Sequence, residues 1–139
     1  FMRRTICYSQ INDVGINPSD FDVLIIDNVG MLSSLYQYGD FAFVGGGFGK
    51  GLHNILEPAT FGLPIFFGDK NYEKFREAID LINLGGAMAV SGYDTFRIQF
   101  RSFSEPTTYD IASQINADYV KNNTGATIRI IDYCDQLLK

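Results

Sequence analysis

Short, continuously apolar segments recur along the chain and alternate with segments in which apolar residues are spaced as in helices. Runs without internal polar alternation are typical of strands that are buried on both faces of a sheet. We predict such strands at residues 22–27, 41–44, 63–68 and 86–91, with a further short strand at residues 3–9. This alternation predicts an α/β fold, a doubly wound parallel sheet with helices on both faces.

Several helices are predicted between and after these strands, because apolar residues repeat there every three or four positions. One helix is expected to start near residues 52–54, and another covers residues 73–84. Asp94 is a candidate cap for the helix after the last strand, and Pro106 suits the first turn of the next helix. A final helix is expected to turn four residues inward: Ile128, Ile131, Cys134 and Leu138.

The composition is that of a folded globular chain, with 139 residues, of which 46% are apolar and 19% charged. A net charge of −5 argues against nucleic acid as a partner, because proteins that bind nucleic acids present basic surfaces. Cys7 and Cys134 lack CxxC spacing and are expected to be reduced thiols of a cytosolic protein. The chain begins at Phe1, as expected of a processed protein or of a piece of a longer one.

Five glycines occur within the seven residues that follow the predicted strand at residues 41–44, and we call residues 45–51 the glycine loop. They are Gly45, Gly46, Gly47, Gly49 and Gly51. Ligands of doubly wound sheets bind at the carboxyl ends of the strands, where this loop is predicted to lie. Glycines let a ligand approach the backbone, whose N–H groups can bind phosphate without a metal ion. The alternative is a tight turn that only packs.

Two common phosphate-binding motifs do not fit the glycine loop. A Walker A motif requires a hydroxyl residue after the Gly-Lys pair, and Gly51 occupies that position. The dinucleotide motif GxGxxG fails from each possible first glycine, because its last position is then Lys50, Leu52 or Asn54. The loop therefore predicts a phosphate or diphosphate site of another type.

Three polar residues follow the glycine loop closely. His53, the only histidine, is either a phosphate contact or an ordinary surface residue. Asn54 is either a phosphate contact or a helix cap. Glu57 lies four residues after His53, so the two can share a helix face, and its carboxylate can bind ribose hydroxyls or stabilise the helix dipole. Pro58 indicates that this helix starts late or is locally irregular.

The segment DFAFVGGGFGKGLHNILEPATFGLPIFFGDKNYEKFREA, residues 40–78, resembles the 3-deoxy-D-manno-octulosonic acid (Kdo) transferases of lipopolysaccharide synthesis. Members of that family carry a strand ending in FVGG, a short loop and the motif GHNxLEPA. Asn71 and Tyr72 resemble an Asn-Phe pair that follows in the family. The segment DNVGMLSSLYQYGD, residues 27–40, resembles the family's preceding D-x-x-G-E-L segment. The resemblance extends from about residue 22 to the end of the chain.

Two residues depart from the pattern of that family. Leu52 separates Gly51 from His53, where the family has Gly-His-Asn, and we expect a slightly different loop shape. Met31 stands where the family has an acidic residue, so no role of that acid carries over to this chain.

The resemblance implies a Rossmann-like domain, the C-terminal half of a GT-B glycosyltransferase, with residues 1–139 as a single nucleotide-sugar-binding domain. In such an enzyme this half binds CMP-Kdo, and the N-terminal half binds the lipid A precursor and supplies the catalytic base. This chain would then hold no catalytic residue, metal or cofactor and be inactive alone. The implied donor-binding residues are Gly45, Gly46, Gly47, Gly49, Gly51, His53, Asn54, Glu57 and Asn71.

The resemblance also implies that transfer inverts the anomeric carbon without a metal ion. The full-length enzyme is expected at the cytoplasmic face of the bacterial inner membrane, with this fragment itself soluble. Two alternatives remain open: a UDP-sugar transferase or epimerase of the same architecture, and a nucleotide-binding module without catalysis. A receiver-like signalling domain is disfavoured, because Asp27 follows a predicted strand without an evident acidic pair beside it.

Overall fold

The computed structural model describes residues 3–138. The chain divides into two compact units, of which the first ends at Leu35 and the second begins at Tyr36. The expectation of a single domain over residues 1–139 stays a prediction. The strands are β1 (Thr5–Cys7), β2 (Val23–Ile25), β3 (Ala42–Val44), β4 (Ile65–Gly68) and β5 (Ala87–Val90). The helices are α1 (Leu32–Leu35), α2 (Leu56–Thr60), α3 (Arg76–Leu84), α4 (Tyr93–Phe103), α5 (Pro106–Asn122) and α6 (Ala126–Leu137).

The first unit contains a sheet of two parallel strands, β1 and β2, with Thr5 opposite Val23 and Cys7 opposite Ile25. β2 forms within the apolar run at residues 22–27, but the prediction of a buried strand is wrong, because its three residues are 36–48% exposed. In the described part of this unit, the four-residue α1 and short 3₁₀ turns are the only helical elements. None of them is long enough to cover a sheet face.

A carboxylate joins the segments that follow β1 and β2. The Ser9 hydroxyl donates to one Asp27 carboxylate oxygen, and the Ser9 N–H donates to the other at 3.0 Å. The hydroxyl and then the N–H hydrogen bond favour the ionised carboxylate, so they lower the pKa of Asp27 below its ordinary value of 3.8. While Asp27 is ionised, this link holds the carboxyl ends of the two strands together.

The second unit is built on a parallel sheet of three strands in the order β3-β4-β5. The central strand, β4, is buried on both faces, and Ile65, Phe66 and Phe67 are each at most 1% exposed. This burial explains why its sequence is continuously apolar rather than alternating.

Helices lie on both faces of this sheet. One face packs against α2 and α3 in a cluster that includes Val44, Ala59, Ile65, Phe67, Ala78 and Leu81. The other face packs against α4 and α5 in a cluster of Phe66, Val90, Phe103 and Ala112. The α/β class, with a doubly wound, Rossmann-like parallel sheet, is therefore confirmed.

β3 is less buried than its sequence predicts. Ala42 and Val44 are 6% exposed, as expected of a buried strand, but Phe43 between them is 50% exposed. β3 is at the edge of the three-stranded sheet, and Phe43 points to the face opposite its two neighbours. On that face it contacts the rings of Phe48 and Phe96, with centroid distances of 6.3 and 5.7 Å.

Two helix starts differ from their predictions, and one agrees. α2 begins at Leu56, later than residues 52–54. Asp94 does not cap α4, because the Thr95 hydroxyl accepts the Gly92 N–H at 3.1 Å and donates to the Gly92 carbonyl. Pro106 opens α5 as predicted, since the first turn of a helix needs no N–H donor there.

The prediction that the final helix turns its apolar side inward is wrong. All four residues named for it, Ile128, Ile131, Cys134 and Leu138, are exposed, and no residue of α6 is buried. Helical spacing identifies an apolar stripe, but it does not identify what the stripe contacts. Among the helices of residues 3–138, none is both long and apolar enough to cross a membrane.

A buried asparagine on α5 holds the amino ends of β4 and β5. The Asn116 side chain is fully buried, and its Nδ2 donates to the Leu63 carbonyl at 2.6 Å and to the Gly86 carbonyl at 2.8 Å. A Cβ at Gly86 would overlap the Asn116 Oδ1 atom, so the glycine makes room for this amide. The Leu63 carbonyl would otherwise be buried without a donor, which is costly, whereas the Gly86 carbonyl also accepts the Ile65 N–H at 3.2 Å.

Asn116→Ala is therefore expected to lower the free energy of unfolding by about 1–3 kcal/mol, because the buried Leu63 carbonyl loses its donor. Urea unfolding followed by near-UV circular dichroism measures this change. Gln114→Ala is the matched control on the same helix, since Gln114 is exposed and its side-chain amide donates to Asp118, and its effect should stay within about 0.5 kcal/mol. Equal effects of the two substitutions would contradict the structural role of Asn116.

The link between Ser9 and Asp27 is expected to depend on pH. The pKa of Asp27 is lower in the folded chain than in the unfolded chain, so the link contributes stability above pH 3.8 and loses it as the pH falls. In an NMR titration, the Ser9 amide shift should follow a midpoint below 3.8, and Ser9→Ala should raise the midpoint read at Asp27. Ser19→Ala should leave that midpoint unchanged, and a midpoint unaffected by Ser9→Ala would refute the link.

Candidate functional site

The glycine loop leaves the carboxyl end of β3 directly, as the sequence predicts. β4 runs parallel to β3, with Val44 opposite Phe67, so Gly68 ends β4 at the same edge of the sheet. Loops at this edge of a doubly wound sheet form its ligand-binding crevice. The site described below belongs entirely to the second unit.

A tight turn shapes the first half of the glycine loop. The Gly49 N–H donates to the Gly46 carbonyl at 2.9 Å, and Gly46 has a φ of +88°. A Cβ at Gly46 would overlap the Gly51 carbonyl. Both the positive φ and the lack of space require glycine at this position.

The loop rests on the end of β4 through a contact between two glycines. A Cβ at Gly47 would lie 2.5 Å from the Gly68 carbonyl oxygen, and a Cβ at Gly68 would overlap the Gly47 backbone. Just beyond this contact the Lys70 N–H donates to the Gly47 carbonyl at 2.8 Å. Neither Gly68 nor Lys70 was among the predicted site residues, although a glycine that ends a buried strand was a usable signal.

Asn71 also reaches the glycine loop. Its Nδ2 atom donates to the Gly49 carbonyl at 2.9 Å, across 22 positions of sequence. Asn71 has a φ of 61°, which makes it the one non-glycine residue with positive φ in residues 3–138. Asparagine tolerates this conformation better than most residues, and here it directs the amide toward the loop.

His53 contacts the loop through its backbone and its ring. Its N–H donates to the Gly45 carbonyl at 3.1 Å, and its exposed ring lies beside the Gly45 and Gly46 backbone. Because α2 begins only at Leu56, His53 is not helical. The expectation that His53 and Glu57 share a helix face is therefore wrong.

Asn54 binds the first N–H of α2 and holds Glu57 at the same time. Its Oδ1 atom accepts the Leu56 N–H at 3.0 Å, and its Nδ2 atom donates to Glu57 Oε1 at 3.0 Å. Ile55, not Asn54, is the N-cap residue, and Pro58 is tolerated because it lies in the first turn. The second Glu57 carboxylate oxygen has no hydrogen-bond donor within residues 3–138, so it remains available to a ligand.

The carboxylate of Glu57 lies near the phenol of Tyr36. Burial raises the pKa of Tyr36, and the negative charge of Glu57 raises it further. Tyr36 is therefore a neutral hydroxyl at physiological pH, beside a half-buried carboxylate. The Glu57 carboxylate is therefore a hydrogen-bond acceptor that lies beside the uncharged Tyr36 hydroxyl and is not one member of an ion pair.

The other three glycines of the loop have neither a positive φ nor a close backbone contact that would require glycine. Gly49 has only the Gly46 carbonyl oxygen within reach of a Cβ, at 3.8 Å, and Gly51 has only a Phe75 ring atom, also at 3.8 Å. Gly45 has a His53 ring atom at 3.5 Å, and none of the three has a positive φ. Packing thus explains Gly46 and Gly47, whereas the other three glycines keep the surface of the loop open to a ligand.

The structure brings all the predicted site residues to one edge of one sheet. The glycine loop, His53, Asn54, Glu57 and Asn71 are joined to one another by hydrogen bonds or lie next to one another in sequence. Over residues 3–138, no group of three or more His, Cys, Asp or Glu side chains is arranged to hold a metal ion. The arrangement offers backbone N–H groups and one carboxylate, which is a chemistry suited to a phosphorylated, hydroxylated ligand.

No family model matches the sequence. Three curated relatives are 3-deoxy-D-manno-octulosonic acid transferases. The one from Chlamydia pneumoniae is 46% identical over 56 residues, which cover 39% of this chain and 13% of the relative. The one from Chlamydophila psittaci is 41% identical over 66 residues, which cover 46% of this chain and 15% of the relative. The one from Aquifex aeolicus is 42% identical over 65 residues, which cover 42% of this chain and 18% of the relative.

A solved structure has a similar fold. The crystal structure of the C-terminal CMP-Kdo binding domain of WaaA from Acinetobacter baumannii superimposes with a TM-score of 0.67, at 24% sequence identity. The match covers 85% of this chain and 61% of that domain. The aligned part of this chain spans less than a fifth of the length of the curated relatives. The predicted resemblance to the Kdo transferases is thus confirmed in sequence, and the predicted fold is confirmed by its similarity to the C-terminal domain of WaaA.

Proposed function

We propose that this chain is the donor-binding part of a glycosyltransferase that moves Kdo from CMP-Kdo to a lipid A precursor in lipopolysaccharide biosynthesis. One observation carries the proposal: an open glycine loop lies beside a carboxylate that Asn54 holds in place. The Kdo transferases among the relatives and the CMP-Kdo binding domain among the solved structures support this choice of donor. We expect the full-length enzyme to act at the cytoplasmic face of the bacterial inner membrane.

The phosphate of the donor would bind to the backbone of the glycine loop. Several loop N–H groups, those of Gly46, Gly47, Phe48 and Lys50, have no acceptor within residues 3–138. Free N–H groups on successive residues bind anions even in an acidic protein, because they act over hydrogen-bond distances. α2 has only five residues, so the loop rather than the helix supplies these donors.

The ribose of the donor would bind to Glu57. One of its carboxylate oxygens is fixed by Asn54, and the other is open, so the carboxylate can accept hydrogen bonds from adjacent ribose hydroxyls. Asn54 would orient Glu57 and not contact the donor itself, because its Nδ2 and Oδ1 atoms are already hydrogen bonded to Glu57 and Leu56. His53 borders the phosphate site through its exposed ring.

The reaction assigned to the whole enzyme is an inverting transfer without a metal ion. An acceptor hydroxyl attacks the anomeric carbon of Kdo, the bond from that carbon to the CMP phosphate oxygen breaks, and CMP departs with the electron pair. A base in the N-terminal half takes the hydroxyl proton. The glycine loop stabilises the negative charge of the departing CMP with donors that are already in place. This half therefore binds the donor and stabilises the departing CMP, and we expect it to be inactive in isolation.

The ribose contact can be tested with CMP and 2′-deoxy-CMP. CMP should shift the NMR signals of Gly46, Gly49 and Asn54, and Glu57→Gln should weaken CMP binding about tenfold, since hydrogen bonds to charged groups are the stronger ones. The 2′-deoxy ligand should bind more weakly than CMP to the unmodified chain but equally to Glu57→Gln. Glu73→Gln, an exposed glutamate distant in sequence, is the control for lost charge and should bind CMP normally.

The outcomes of this titration are distinct. Tighter binding of UDP than of CMP would indicate that the donor is a UDP-sugar and not CMP-Kdo. An undiminished affinity of Glu57→Gln for CMP would remove Glu57 from the site. No shift of the loop signals by either nucleotide would overturn the proposed function for this chain.

The two classes of glycine should respond differently to alanine. Gly49→Ala should fold with an unchanged melting temperature, because the added Cβ meets nothing closer than 3.8 Å, and yet lose CMP affinity about tenfold or more. Gly47→Ala should unfold at a lower temperature, because its Cβ would lie 2.5 Å from the Gly68 carbonyl oxygen. Differential scanning calorimetry and CMP titration separate the two effects. CMP affinity that Gly49→Ala leaves intact would mean that the loop only packs.

A further inference from the structure

Four carbonyl groups of the glycine loop are turned toward the protein. They accept hydrogen bonds from within the second unit, at 2.8 to 3.1 Å. The acceptors are the carbonyl oxygens of Gly45, Gly46, Gly47 and Gly49. Three of the donors are backbone N–H groups, those of His53, Gly49 and Lys70. The fourth is the side-chain amide of Asn71, so one residue identity decides the orientation of that peptide.

The orientation of a carbonyl fixes the orientation of the next N–H. A trans peptide is planar, and its C=O and N–H bonds point in opposite directions. Residues 3–138 contain no cis peptide bond. Because the Gly49 carbonyl points at the Asn71 amide, the Lys50 N–H points away from Asn71. That N–H has no acceptor in the described chain, and both Gly49 and Lys50 are exposed.

Asn71 adopts an unfavourable backbone conformation with a positive φ. A non-glycine residue with a φ of 61° carries a local cost, which the surrounding structure must offset. Its neighbour Lys70 is tied to the Gly47 carbonyl by its N–H at 2.8 Å. The backbone at residues 70 and 71 thus contacts the loop at two carbonyls, and the positive φ places the amide of Asn71 at the second one.

We propose that Asn71 is a positioning residue of the glycine loop: its amide holds the Gly49 carbonyl and thereby turns the Lys50 N–H toward the phosphate of the bound nucleotide. Asn71 then acts through the loop backbone, not by touching the donor. The inference rests on the proposed donor site, and it changes the role of Asn71 from donor contact to support of the loop.

Two substitutions separate the amide from the backbone conformation. Asn71→Gly keeps the freedom to adopt positive φ and removes the amide, so the fold should survive with an unchanged melting temperature. Asn71→Asp keeps the size and replaces the donor with a carboxylate that the Gly49 carbonyl repels. Each variant should bind CMP about five- to tenfold more weakly, as expected for one lost hydrogen bond that orients a second donor. Asn83→Asp, an exposed asparagine on α3, is the matched control for charge and should bind CMP within about twofold of the unmodified chain.

A second measurement reads the orientation of the peptide without any ligand. The one-bond N–H residual dipolar coupling of Lys50 should match the structure in the unmodified chain and should be reduced by averaging in Asn71→Gly. A loss of stability alone would not change this coupling in the folded state.

The outcomes distinguish this inference from the proposed function. If the unmodified chain binds no CMP, the proposed donor site is wrong, whatever the coupling shows. If it binds CMP and Asn71→Gly binds equally well, the positioning role is wrong and the donor site stands. If Asn71→Gly loses affinity while the Lys50 coupling is unchanged, Asn71 contacts the donor directly and the inference is overturned.

Discussion

The backbone contact between Gly47 and Gly68 is the constraint on which the candidate site depends. A Cβ on either residue would collide with the backbone of the other, so the glycine loop can lie on the end of β4 only if both positions lack a side chain. This contact brings Lys70 and Asn71 within hydrogen-bond reach of the Gly47 and Gly49 carbonyls. The rigid central strand of the sheet therefore sets the position of a loop whose composition alone would make it flexible.

In the proposed function, different kinds of groups bind different parts of the ligand. Main-chain N–H groups would bind the phosphate, and the carboxylate of Glu57, which Asn54 orients, would bind the ribose. Backbone donors carry no net charge, so they can bind an anion without a basic surface. Under this proposal, a chain with a net charge of −5 could bind an anion without an arginine cluster.

The sequence predicted the strands and the position of the glycine loop at the end of β3, because both follow from local patterns. Continuous apolar runs located β3, β4 and β5, and the glycines marked the loop. The same patterns predicted buried surroundings for β2 and α6, whose apolar residues are exposed, since periodicity identifies a face but not its partner. The glycine that ends β4 was a local signal for Gly68, but its contact with Gly47 and the hydrogen bond from Asn71 to Gly49 could not be predicted from local patterns, because the partners are 21 and 22 positions apart.

The glycine loop combines two requirements that oppose each other. Gly45, Gly49 and Gly51 keep the surface open to a ligand, but each of the five glycines loses more conformational entropy on folding than any other residue would. A loop that ordered only around its ligand would subtract that entropy from the binding free energy. Here four carbonyls are already bonded within the second unit, so most of the ordering occurs during folding. The N–H groups are therefore oriented before a phosphate arrives, which is the condition under which fixed dipoles stabilise a developing charge most effectively.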